Sequence, residues 1–151
     1  IEEGLLKEND RIVDIFRGRV GPFQQLRKKN LTVRHLLTMS SGVSFNETGA
    51  VTEEDWVKGY LESGFLFDPG ERFYYNSMNS YMLSAAIREL TGQNLTEYLM
   101  PRLFHPMGIT TLYWQKCPRG IDAGGWGLYL PSDAEWRQLE RQAAGPCGLD
   151  W

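Results

Sequence analysis

Apolar positions along this chain fall mostly at helical spacing. Trp56, Val57, Tyr60 and Leu61 stand at i, i+1, i+4 and i+5, one stripe of an amphipathic helix. Thr52 is placed to cap that helix, with Glu53, Glu54 and Asp55 in its first turn, where acidic groups complement the helix dipole. Gly64 and the run Asp68-Pro69-Gly70 break it. A second helix is predicted over Met78 to about Leu90. Met82, Leu83, Ala85, Ala86, Ile87 and Leu90 cover most of its circumference, leaving a narrow polar line at Ser80, Ser84 and Arg88. A helix so apolar belongs in the middle of a domain, and Gly92 is placed to end it.

Shorter elements surround these two. Thr32 is placed to cap a short helix that buries Leu36 and Leu37 and stops at Ser40-Ser41-Gly42. Another helix begins near Leu95 and meets Pro101, where the missing N–H and the ring clash predict a break and a new turn. Gly124-Gly125-Trp126-Gly127 reads as a bend leading into a short extended piece through Leu130. Ser132-Asp133-Ala134-Glu135 has capping-box spacing before a last helix that buries Trp136, Leu139 and Ala143. Residues 1–30 are polar and turn-rich, with one apolar cluster at Ile12, Val13, Ile15 and Phe16. The pattern predicts a mainly α fold, a single helical domain over residues 1–151. Its long connections are unlike those of a plain helix bundle and suit a lobe that serves a site.

Composition narrows the picture. With 151 residues, 42% hydrophobic and 13% aromatic, the chain has the material for one packed core. A net charge of −3 with interspersed signs gives no reason to expect nucleic acid or an anionic membrane as partner. No apolar run approaches the roughly 20 residues of a membrane span. Cys117 and Cys147 make no disulfide framework and read as free thiols, with a single bridge as the alternative. No Cys/His spacing suggests a metal, and His35 and His105 stand outside any motif. Asn30, Asn46 and Asn94 each open an Asn-x-Thr sequon, a weak signal in isolation.

The chemistry-bearing stretch is Phe73-Tyr74-Tyr75-Asn76-Ser77, just before the most apolar helix. It sets a phenol and a hydroxyl two residues apart at a helix start, where negative charge is favoured and a phenol can serve in proton transfer. On these residues alone packing is the commoner role for such aromatics. Ser40, Ser41 and Ser44 have no lysine or histidine at working spacing and read as a turn. Trp126, between glycines, is a candidate cleft residue, with packing as the alternative.

The run from Asp68-Pro69-Gly70 through Tyr75-Asn76-Ser77 to Thr91-Gly92 resembles the serine β-lactamase and penicillin-binding-protein superfamily, in its class C, esterase and D-aminopeptidase-like branch. Leu31 to Gly42, Leu103 to Ile109, Gly124 to Leu128 and Pro131-Ser132-Asp133 fit the same family in the same order, so the resemblance covers nearly the whole chain and fades after about Leu139. It implies the helical lobe of a β-lactamase/transpeptidase-like fold whose parent is α/β. It also implies acyl transfer on a β-lactam, a D-alanyl peptide or a small ester through a serine acyl-enzyme, with no metal or organic cofactor. Tyr75 and Ser77 match the family's tyrosine motif and are the expected catalytic residues. Asn76 and Trp126 are the expected substrate-binding ones. The family's Ser-x-x-Lys and Lys-Thr-Gly motifs have no match here, since no serine has lysine three residues on. The expectation is therefore a fragment, inactive alone, whose partners in the parent enzyme are a small acyl substrate and the missing α/β part. The alternative is a non-catalytic binding or structural module built on the same fold. Such parents are often bacterial and exported; the compartment of this chain stays open.

Overall fold

The computed structural model describes Ile1 and residues 3–130. The last predicted helix, with Trp136, Leu139 and Ala143, lies outside the described residues, as do Pro131-Ser132-Asp133 and Cys147. Seven α-helices are described in chain order: α1 Ile12–Ile15, α2 Pro22–Arg27, α3 Val33–Leu37, α4 Glu47–Ala50, α5 Trp56–Glu62, α6 Ser77–Thr91 and α7 Leu95–Leu99. A 3₁₀ turn at Arg17–Arg19 and a π-helical turn at Met100–Phe104 join them. Two short strands, β1 Tyr113–Trp114 and β2 Leu128–Tyr129, pair antiparallel, Tyr113 opposite Tyr129.

Helix α6 is the centre of the fold, as its apolar circumference demands. Met78, Tyr81, Met82, Ala85 and Ala86 are buried on it, and α1, α3, α5 and α7 pack around it. The core they share includes Ile12, Phe16, Leu31, Val33, Leu36, Val57, Tyr60 and Leu61. Polar groups inside it are matched. Asn79, fully buried, accepts through Oδ1 from the Tyr60 hydroxyl at 2.7 Å and the Ser41 hydroxyl at 2.8 Å. Burial with no charge nearby to stabilise a phenolate holds the Tyr60 hydroxyl well above its ordinary titration range. A smaller cluster of Phe104, Ile109 and Trp114 gathers Leu95, Leu99 and Met107 beside the strand pair.

Several boundaries differ from the sequence expectation. The stripe Trp56–Leu61 is buried as predicted, but the cap of α5 is Asp55, whose carboxylate accepts from the Lys58 amide at 3.0 Å, and Thr52 lies outside the helix. Thr52 and Asp55 are both residues that cap well, and the Asp55 carboxylate is also paired with Arg19 at 2.8 Å. The first 30 residues carry two short helices and a 3₁₀ turn rather than plain coil, because Ile12, Val13 and Phe16 need a buried face. In α3, Val33 and Leu36 are buried while Leu37 is exposed. Helix α4 carries no apolar stripe and was not predicted. The chain does change its winding at Pro101, as the proline requires.

Candidate active site

The start of α6 is built by one side chain. Asn76 caps the helix, its Oδ1 accepting from the Met78 amide at 3.0 Å. Its Nδ2 donates to the carbonyls of Val43, at 3.2 Å, and Phe45, at 2.8 Å. Both amide protons are engaged and the residue is buried. Asn76, expected to contact substrate, thus tethers the loop 43–48 to the helix.

That loop brings in α4. Asn46 caps it, accepting from the amides of Thr48 at 3.0 Å and Gly49 at 3.3 Å. Glu47 then faces the start of α6, and the buried Ser77 hydroxyl donates to its Oε1. The donor direction leaves the lone pairs of Ser77 Oγ as its remaining capacity. Tyr75 lies just outside the cap and is 65% exposed. Its neighbour Tyr74 is tied differently: its amide donates to the Met39 carbonyl at 2.8 Å, and its ring meets Phe67 edge-on at 6.0 Å.

Trp126 arrives from the far end of the chain. Gly124 and Gly125 lie directly on α6, where a Cβ on Gly124 would sit 2.7 Å from Ser84 Cβ, and one on Gly125 2.8 Å from Ser80 Cβ. Gly124 also has φ of +74°, which side-chain-bearing residues rarely adopt. This close approach stacks Trp126 on Trp56, ring centroids 5.7 Å apart at 29°. Trp56 is held in turn by an edge-on contact with Tyr81 and a bond from its Nε1 to the Ala50 carbonyl at 3.0 Å.

Two hollows meet at Glu47. One, of about 220 Å³, is lined by Asn46, Glu47, Thr48, Tyr75, Asn76 and Ser77. The other, of about 420 Å³, is lined by Glu47, Ala50, Val51, Trp56, Gln115 and Trp126. Of the residues picked from the sequence, Tyr75, Asn76 and Ser77 therefore line one hollow and Trp126 lines the other, with Glu47 common to both. Asn46 and Glu47 were missed as site residues. Asn46 was read only as a sequon, although an asparagine followed by an acidic residue is also the signature of a helix start.

Other sequence candidates lie in the framework. The hydroxyls of Ser41 and Ser44 are bound to Asn79 and to the Gly64 carbonyl. His35 accepts from the Thr32 amide at 3.2 Å, and burial, with the Arg34 charge adding to it, lowers its pKa. Among the described residues no three His, Cys, Asp or Glu side chains gather as a metal site would need, and no helix is long and apolar enough to cross a membrane.

Monacolin J acid methylbutanoyltransferase of Aspergillus terreus is 30% identical over 98 residues, 57% of this chain and 24% of the enzyme. Among solved structures, the octameric penicillin-binding protein homologue from Pyrococcus abyssi matches with a TM-score of 0.62 at 24% identity, over 93% of this chain and 40% of its own. The D-alanine carboxypeptidase AmpC from Burkholderia cenocepacia matches with a TM-score of 0.67 at 16% identity, over 95% of this chain and 44% of its own. The chain thus has the fold of a mainly helical part of such proteins and spans about a quarter of the length of that curated relative. The profile of the Beta-lactamase family matches residues 1–146, and with that extent of agreement the chain belongs to the beta-lactamase family.

Proposed function

We propose that this chain forms the helical wall of the active-site cleft of a serine acyl-transfer hydrolase, acting on a β-lactam, a D-alanyl peptide or a small ester. One observation carries the reading: Tyr75 and Ser77 line one hollow and Trp126, about 50 residues later in sequence, lines the next, the two sharing Glu47. Tyr75 is the proton-transfer group, exposed at the cleft and outside the packing that holds Tyr74. Ser77, its proton directed to Glu47, offers lone pairs to an N–H of the substrate or to an ammonium group. Trp56 and Trp126 give an apolar wall for the acyl or leaving group. Asn76 positions these groups without touching substrate. An activated serine and an α/β part come from the remainder of the full-length protein, and the residues described here do not acylate alone.

The test is single-turnover acyl transfer by the full-length protein and its variants. Loss of a general acid–base group costs about 10²–10⁴-fold in rate, so Tyr75→Phe falls by that order. Tyr74→Phe, which keeps its ring on Phe67, stays within a few-fold of wild type. Ser77→Ala falls between, by the loss of one hydrogen bond of about 0.5–1.5 kcal/mol, or more if its partner is charged. A damaging Tyr74→Phe beside a harmless Tyr75→Phe would overturn the assignment. Equal turnover in all three would remove Tyr75 and Ser77 from the chemistry, and no acyl transfer by the full-length protein would favour a non-catalytic binding module.

A further inference from the structure

A third hollow, sharing no lining residue with the other two, lies between the 3₁₀ turn, the end of α6 and the loop 115–122. Its volume is about 390 Å³, and its lining is Arg19, Arg88, Arg119 and Ile121. Three arginines lining one hollow repel each other, and their charge favours a counter-charge nearby. Asp55 supplies part of it. Arg19 Nη2 donates to both Asp55 oxygens at 2.8 Å, and Arg119 Nε stands 3.5 Å from Asp55 Oδ2. One carboxylate against three cations leaves a local charge of +2.

The arginines are also held in place from behind. Asp55 is itself fixed by the Lys58 amide. Arg88 Nη1 donates to Asn94 Oδ1 at 2.8 Å and to the Gly120 carbonyl at 3.0 Å. Asn94 Nδ2 donates to the same carbonyl at 3.1 Å. Arg19 and Arg88 are thus anchored through one terminal nitrogen each, and Arg119 is paired only loosely through Nε. Among the described residues, Arg19 Nη1, Arg88 Nη2 and both terminal nitrogens of Arg119 carry no hydrogen bond. The nearly buried Ile121 completes the lining with an apolar surface. Unengaged N–H donors on three arginines match the oxygens of a phosphate group, and a local charge of +2 suits a dianion better than a monovalent carboxylate.

We propose that this hollow is an oxyanion site that binds a phosphate group, as inorganic phosphate or a phosphomonoester. It is independent of the acyl-transfer reading, since none of its residues borders Tyr75 or Ser77. Arg119 is the discriminating residue, being more than half exposed and the most loosely paired of the three. Isothermal titration of inorganic phosphate into the full-length protein, at constant ionic strength set with sodium chloride, should give a saturable heat. Arg119→Gln should weaken binding at least tenfold while the melting temperature in phosphate-free buffer stays unchanged. Arg88→Lys, which keeps the charge and loses the fork, should weaken it several-fold. Glycerol 3-phosphate should bind within a few-fold of phosphate, and acetate at least tenfold more weakly. No saturable heat, unchanged affinity in Arg119→Gln, or acetate binding as tightly as phosphate would each overturn the proposal.

Discussion

Asn76 uses its whole amide on the chain around it, and this makes a prediction that separates scaffold from substrate contact. Asn76→Ala removes a helix cap and the donors to two carbonyls. At about 0.5–1.5 kcal/mol per bond, and about 1 kcal/mol for a cap, the loss of stability should reach roughly 2–4 kcal/mol, read from urea unfolding. Unchanged stability would mean that the side chain is free to contact substrate after all. The neighbouring residues show how far one position is readable. The placing of Tyr75 and Ser77 side by side at a helix start could be read from the sequence because their spacing is local. The role of Asn76 could not, because its partners Val43 and Phe45 lie 33 and 31 positions earlier. Glu47 escaped for the same reason: nothing in its own surroundings points to Ser77.

Among the elements, α5 and α6 were legible because an apolar stripe states both the helix and the buried face. Helix α4 was not, since it has four residues and owes its place to the Asn46 cap and the bond to Ser77. The segment 124–127 was legible as a bend but not as a wedge laid on α6, a fact that needs the position of Ser80 and Ser84. That wedge can be tested against a control. Gly124→Ala adds a Cβ against Ser84 and the Ser80 carbonyl and forces a side chain into φ of +74°. Left-handed strain of about 1–2 kcal/mol and an overpacking cost of about 1–3 kcal/mol should together lower stability by roughly 2–5 kcal/mol. Gly120→Ala has the same strain, with φ of +77°, but open space around its Cβ, so only the first part of the cost applies. Thermal melts of the two variants should therefore differ, and equal losses would show that the segment does not press on the helix.

At the scale of the whole molecule, one buried cation among the described residues has an effect that extends to pH. Lys28, after α2, donates to the Ser63 carbonyl at 2.9 Å beyond the end of α5, and its ammonium lies 4.0 Å from the centre of the Phe65 ring. Burial, with a smaller push from Arg27, lowers its pKa from 10.5 to about 8. The unfolded chain then binds more protons between about pH 8 and 10.5, so stability rises with pH across that window. The penalty, roughly 3 kcal/mol, is present in full below about pH 8. Lys28→Met should lack this rise, so its stability relative to wild type should decline from pH 7.5 to pH 10 in urea unfolding. A constant difference would refute the buried-charge account. Such long-range terms are the least legible in a sequence, because Lys28 reads there as one more surface lysine. The overall class was legible, since order and spacing of ordinary segments survive where single residues mislead. The Trp56–Trp126 stack, finally, does more than line a wall. Two indoles with centroids 5.7 Å apart share their excitation, so the cleft contains its own chromophore pair, one member set on a core helix and the other on a glycine segment. A change in the spacing between those two parts of the fold would change the coupling of the pair, a signal that needs no added dye.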